Sequence, residues 1–168
     1  VNNGLRTTGA MLPYMPFHHL LFRGLKTGVV VLTSGNISDD PIITDDAQAG
    51  EILRGITPFI VSYNREICNR TDDSVVRSAG TRLLLIRRSR GYVPGPVDLH
   101  LNVEGILAMG AEQKNTFCIG KGSQAILSQH IGDLKGLETF RFYKYSLESF
   151  FRMFRFKPRL LVSDLHPD

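Results

Sequence analysis

The chain has 168 residues, 42% of them hydrophobic and 21% charged, with a formal net charge of +4. That is an ordinary globular composition with room for one domain or two small ones. It excludes a helical membrane span, because no apolar stretch approaches the roughly 18 residues needed, and the charge is too small to argue nucleic-acid binding by itself.

Taken in chain order, "PFHHLLFRGLK" (Pro16 to Lys26) predicts a helix with Pro in its first turn. His18 and His19 are adjacent in it, so they diverge by about 100° and cannot chelate together. "GVVVLTS" (Gly28 to Ser34) is rich in β-branched residues and reads as a buried strand. The loop "TSGNISDDP" follows it. Ser34, Gly35 and Asn36 place small polar groups and unhindered backbone where ligands bind in open α/β sheets, at a strand's carboxyl end. The plain alternative is a polar loop capped by Asn and Asp.

"TDDAQAGEILRG" (Thr44 to Gly55) predicts a helix with Thr44 as N-cap. "PFIVSY" (Pro58 to Tyr63) reads as another strand, and "DSVVR" and "TRLLLIRR" as two more, joined through Ala79-Gly80. Asp72 and Asp73 precede Ser74 at a strand start. Such paired carboxylates suit Mg²⁺ on a triphosphate or pairing with Arg70 and its neighbours. Arg77, Arg82, Arg87, Arg88 and Arg90 fall within fourteen residues that contain no acid. They form a candidate anion site, or else a solvated strand edge that discourages pairing.

"GYVPGPVDLHLNVEG" (Gly91 to Gly105) holds two prolines and three glycines and reads as an extended connection. The expected domains are therefore residues 1–95 and 105–168, with a linker over 96–104. The second is expected to run strand, strand, strand, helix, strand: about 105–111, 115–121, 123–129, a helix within Thr139 to Phe156, then "RLLVSD". Gly122 is expected in the tight turn between the second and third strands. Phe140, Tyr143, Leu147, Phe150, Phe151 and Phe154 follow helical spacing and predict a core stripe. Such a meander, followed by a helix and a strand parallel to the first, opens RNase-H-like and actin-like folds.

Lys114 and Asn115 sit at the first hairpin turn, where a mobile cation and an amide suit phosphate or carbamoyl oxygens. Ser128 and His130 are two apart on a strand and share a face, but a Ser–His nucleophile needs a third, orienting group. Structural contacts are preferred for Ser128. Cys68 and Cys118 have no CxxC partner and read as reduced, buried thiols. No HxxxH or CxxC occurs, so no complete metal site is expected; Asp164 and His166 are possible contributors to one completed elsewhere. With no visible signal peptide the chain reads as cytoplasmic. Beginning at Val1 and stopping just past an apolar run, it reads as a piece of a longer protein.

"LPYMPFHHLLF", "LTSGNISDDPI", "DDSVVR", "IRRSRGY", "GAEQKNTFCIGKG", "SQHIGDL" and "DLHPD" occur in the order seen in HypF, the carbamoyltransferase family of [NiFe]-hydrogenase maturation. The resemblance spans nearly the whole chain. It implies the C-terminal part of a YrdC-like α/β domain followed by the start of an actin-like β-β-β-α-β domain. It also implies cleavage of carbamoyl phosphate, formation of carbamoyl-adenylate with ATP and Mg²⁺, and transfer of the carbamoyl group to the C-terminal cysteine of HypE. By resemblance, Ser34, Asn36, Arg70, Ser74, Arg87, Arg88 and Arg90 are assigned to the nucleotide. Lys114, Asn115, His130 and Asp133 are assigned to the carbamoyl site. The family's acylphosphatase domain, zinc-ribbon modules and His-rich metal motif are not in this chain, so zinc is expected only in those parts. Thr71 stands where the family usually has Cys. The alternatives are a YrdC-like threonylcarbamoyl-adenylate synthase, in which "SQHIGDL" has no place, and an RNA-binding module. The latter is disfavoured because no aromatics interleave residues 77–90.

Overall fold

The computed structural model describes residues 4–37 and 40–165. They fall into two compact units, residues 1–34 and 35–168. In the first, helix α1 (Pro16–Gly24) begins with Pro where the helix needs no N–H, and ends as the Leu25 N–H closes on the Leu21 carbonyl. The predicted strand at 28–34 does not form: Val29 and Val31 are 80% and 81% exposed. A β-branched run makes a strand only against a hydrogen-bonded neighbour, and none is present among the described residues.

In the second unit, α2 (Asp46–Leu53) is capped by Asp45, whose Oδ1 accepts from the Gln48 N–H at 2.7 Å. The cap is thus one residue later than Thr44. Residues 58–63 also form no strand, and Phe59 stays exposed. Strands β1 (Val75–Ala79) and β2 (Arg82–Arg87) pair antiparallel around Gly80, whose φ of +62° suits glycine.

The remaining strands, β3 (Val97–Asp98), β4 (Ile106–Ala108), β5 (Cys118–Lys121), β6 (Gln124–Leu127) and β7 (Leu160–Val162), make one sheet in the order β3-β6-β5-β4-β7. The β4–β7 pair is parallel and the others antiparallel. This is the expected meander, helix and parallel return. One addition comes from the stretch read as a linker. Its β3 pairs with β6, and the Leu99 and Val103 N–H groups bond to the Ser123 and Gly122 carbonyls. Gly120 lets it lie close, since a Cβ there would collide with the Val103 carbonyl.

Helix α3 (Leu137–Phe154) covers one face of this sheet. Phe117 is fully buried and meets Tyr143 and Phe150 edge-on, with ring centroids 5.7 and 5.0 Å away. Leu107, Ile119, Ile126, Ile131, Phe142 and Phe156 complete the core. Of the expected stripe, Tyr143 and Phe150 are buried and Leu147, Phe151 and Phe154 pack against the core; Phe142 joins them inside, whereas Phe140 is 42% exposed. The helix ends at Phe154 because Arg155 turns left-handed, before Lys157-Pro158 is reached. Cys118 is half-buried, and burial pushes its thiol pKa up, whereas Cys68 is exposed, against the expectation of two buried thiols. No helix among the described residues is long and apolar enough to cross a membrane.

Candidate active site

The site is built where residues 66–74 and 87–95 lie against the β6 end and α3. Three contacts hold residues 66–74 there. The Tyr145 hydroxyl donates to the Cys68 carbonyl at 3.1 Å. The Gln129 amide donates to Asn69 Oδ1 at 3.2 Å and to Ser146 Oγ at 3.1 Å. The Arg70 guanidinium lies 5.6 Å from the centroid of the Phe142 ring. An open cleft of about 450 Å³ beside them is lined by Arg70, Cys68, Arg141, Phe142, Tyr145 and others. Of the residues selected from sequence, Arg70 is in that lining.

The central contact is a hydrogen bond of 2.8 Å between His130 Nδ1 and Asp72 Oδ2. Arg87 stands 4.0 Å from the same carboxylate oxygen. The hydrogen bond from His130 holds the Asp72 carboxyl below its ordinary pKa range. Partial burial opposes this, and the charges of His130, Arg87 and Arg90 reinforce it. Next along the chain, Asp73 pairs with Arg90 Nε at 3.3 Å, and Arg90 Nη2 donates to the Thr71 carbonyl. Ser74 Oγ donates to the Arg90 carbonyl and accepts the Ser89 N–H, both at 2.8 Å. The predicted nucleotide residues Ser74, Arg87 and Arg90 are thereby brought together with His130, which the sequence placed in the other set.

The pairing changes the electrostatics expected from the arginine string. Two carboxylates offset Arg87 and Arg90. Arg88 turns its Nη2 to the Tyr92 and Gly95 carbonyls. Arg77 and Arg82 sit on the exposed hairpin. At 4.0 Å, Arg87 forms an ion pair but no hydrogen bond with Asp72. Its fork therefore keeps donors for an incoming anion. Both carboxylates weighed as magnesium ligands are spent on cations, and no group of three metal-binding side chains exists among the described residues. The arrangement fits no magnesium site of this chain's own. Asp164 is exposed, and His166 lies outside the described residues.

The 110–116 loop carries other residues selected from sequence. Lys114 has a φ of +50°, its N–H donates to Asp133 Oδ1 at 2.7 Å, and its side chain is exposed. Asn115 is 1% exposed, and its Nδ2 donates to the Met109 and Ala111 carbonyls at 3.1 and 2.6 Å. Asn115 thus shapes the loop that presents Lys114, and Asp133 fixes the same turn from the opposite strand end. Ser128 is buried, donates to the Gln129 carbonyl and accepts the Phe117 N–H, which is the structural use preferred for it. Upstream, Asn36 Nδ2 donates to the Ile37 and Asp40 carbonyls, tying its own loop. Ser34 and Asn36 fall on either side of the division between the two units.

Sequence reasoning singled out Asp72 as a carboxylate and missed it as the partner of His130. A contact across 58 positions leaves no local signal. Gln129, Asn69 and Tyr145 were missed for the same reason.

The family described as Telomere recombination, Sua5/YciO/YrdC, matches residues 1–89, and the HypF Kae1-like domain matches residues 102–168. The chain is 39% identical over 171 residues to carbamoyltransferase HypF of Rhizobium leguminosarum bv. viciae, and 38% identical over 167 residues to probable carbamoyltransferase HypF of Methanocaldococcus jannaschii. Each alignment covers 98% of this chain but 22% of the relative. The chain therefore spans about a fifth of those proteins' length. The crystal structure of T. kodakarensis HypF superposes with a TM-score of 0.93 at 38% identity, covering 99% of this chain and 22% of that one. A structure of full-length HypF in the phosphate- and nucleotide-bound form superposes with a TM-score of 0.87 at 42% identity, covering 93% and 25%.

Proposed function

Because the chain belongs to the HypF family, with a Sua5/YciO/YrdC module running into a HypF Kae1-like domain, we propose that it is a working part of an ATP-dependent carbamoyltransferase. The substrates of this reading are carbamoyl phosphate and ATP, the intermediate is carbamoyl-adenylate, and the acceptor is the C-terminal cysteine thiol of HypE in [NiFe]-hydrogenase maturation. The observation that carries it is the junction itself: Asp72 from the first module bonds His130 from the second, with Arg87 4.0 Å from the same carboxylate oxygen and the Asp73–Arg90 pair next along the chain. The phosphate and nucleotide bound by the 42%-identical structure are the ligands this reading requires.

Adenylation places a carbamate oxygen on the α-phosphorus and expels pyrophosphate. The protein's task there is positioning and positive potential. Ser34, Asn36, Arg70, Ser74, Arg87, Arg88 and Arg90 are assigned to the nucleotide side. Arg87 has the most donor capacity for a phosphate oxygen, while Ser74 and Asn36 hold the loops in shape. Lys114, on the turn set by Asn115 and Asp133, is assigned to the anionic oxygens of the carbamoyl donor. A stand-alone threonylcarbamoyl-adenylate synthase would not explain the match over residues 102–168.

The test is pyrophosphate exchange dependent on carbamoyl phosphate, measured on the full-length protein carrying this chain. Asn36→Ala, Arg87→Ala and Lys114→Ala should each lower exchange at least about tenfold, about 1.4 kcal/mol of barrier, with unchanged far-UV circular dichroism. Wild-type rates in all three would refute the assignment.

A further inference from the structure

His130 carries the geometry of an oriented proton carrier, and the group that orients it comes from the other module. Its Nδ1 is 2.8 Å from Asp72 Oδ2, while Nε2 meets no hydrogen-bonding group among the described residues. The His130 side chain is 19% exposed, so the ring is enclosed without being sealed. A carboxylate is an acceptor only, which places the proton of the neutral imidazole on Nδ1 and the lone pair on Nε2. Ser128, two residues away, is spent on backbone contacts and is no nucleophile for this base. The charged groups around the pair are Arg87, 4.0 Å from Asp72, and Arg90, which is bonded to Asp73. Neither competes for Nδ1.

Resting on the carbamoyltransferase reading, we infer that Asp72 is a positioning residue that fixes the tautomer and ring plane of His130, and that His130 Nε2 takes the acceptor's proton during carbamoyl transfer. The step balances without a further reagent. The acceptor thiol's sulfur forms a bond to the carbamoyl carbon as its proton passes to Nε2. The bond from that carbon to the phosphate oxygen breaks, and the leaving phosphate keeps the electron pair. Asp72 remains ionised and stabilises the imidazolium. The junction between modules then has a chemical role: His130 is correctly protonated only while residues 66–74 are docked against the β6 end.

The experiment uses the full-length protein, with ATP, carbamoyl phosphate and the acceptor thiol protein. Transfer is followed from about pH 5.5 to 9 in the wild type, Asp72→Asn, Asp72→Glu and His130→Gln, alongside ¹⁵N NMR of the imidazole nitrogens. Wild-type transfer should rise through one ionisation that His130→Gln abolishes. Asp72→Asn should change the shape of that pH profile and cut transfer at least about tenfold, and Asp72→Glu should recover part of it. The neutral His130 ring should carry its proton on Nδ1 in the wild type and lose that preference in Asp72→Asn. A uniform loss at every pH, with the tautomer unchanged, would mean a purely structural contact and overturn the inference. So would wild-type kinetics in Asp72→Asn. A wild type with the Nδ1 signature that transfers nothing overturns the carbamoyltransferase reading instead.

Discussion

Asp72 is lowered in pKa because the folded protein gives its ionised form a hydrogen-bond donor and nearby positive charge. A depressed carboxyl stabilises the fold above its unfolded value of about 3.9 and loses that contribution as pH falls through the folded value. The melting-temperature gap between the wild type and Asp72→Asn should therefore be widest near neutral pH and close as the solution is acidified below about pH 4. A gap that stays constant between pH values on both sides of that range would contradict the pairing. At the same scale, Gly110 has a φ of +77°, and a Cβ there would collide with the Thr116 carbonyl and lie 2.9 Å from Asn115 Nδ2. Gly110→Ala should cost at least about 1 kcal/mol in urea denaturation and displace Lys114 through Asn115. Unchanged stability would show that the loop accommodates the methyl. Lys114 and Asn115 were legible in the sequence as a polar turn. Their division of labour was not, because only burial distinguishes an amide that shapes a loop from one that meets a ligand.

Among the elements, the second half of the chain could be read closely from its pattern. Short apolar runs separated by Gly122 and the 110–116 loop gave the three-strand meander, and helical spacing gave α3. In the first half, the same reasoning assigned strands at 28–34 and 58–63 that do not form. Propensity marks a segment as able to pair, but pairing needs a neighbour that the segment itself does not encode. The opposite miss is β3, whose prolines and glycines read as a connection although it pairs with β6. The buried face of α3 makes a direct prediction. Phe117→Ala removes the ring that Tyr143 and Phe150 pack against, and should cost about 3–5 kcal/mol in chemical denaturation. Phe140→Ala, at an exposed position, should cost under about 1 kcal/mol. Equal losses would mean that Phe140 is packed into the core as well.

For the molecule as a whole, the functional reading depends on residues 66–74 being held against β6 and α3. Tyr145, Gln129, Phe142 and His130 all contribute to that contact. None of these pairs was visible in the sequence, where the partners stand 58 to 77 positions apart. The family motifs did identify both halves, because they are local. What they could not show is that Asp72 and His130 are in contact. A double-mutant cycle with Asp72→Asn and His130→Gln on carbamoyl transfer by the full-length protein tests that link most directly. If one residue acts through the other, the double variant should be no slower than the slower single variant. Losses that multiply would show that the two residues act independently, and would contradict the account.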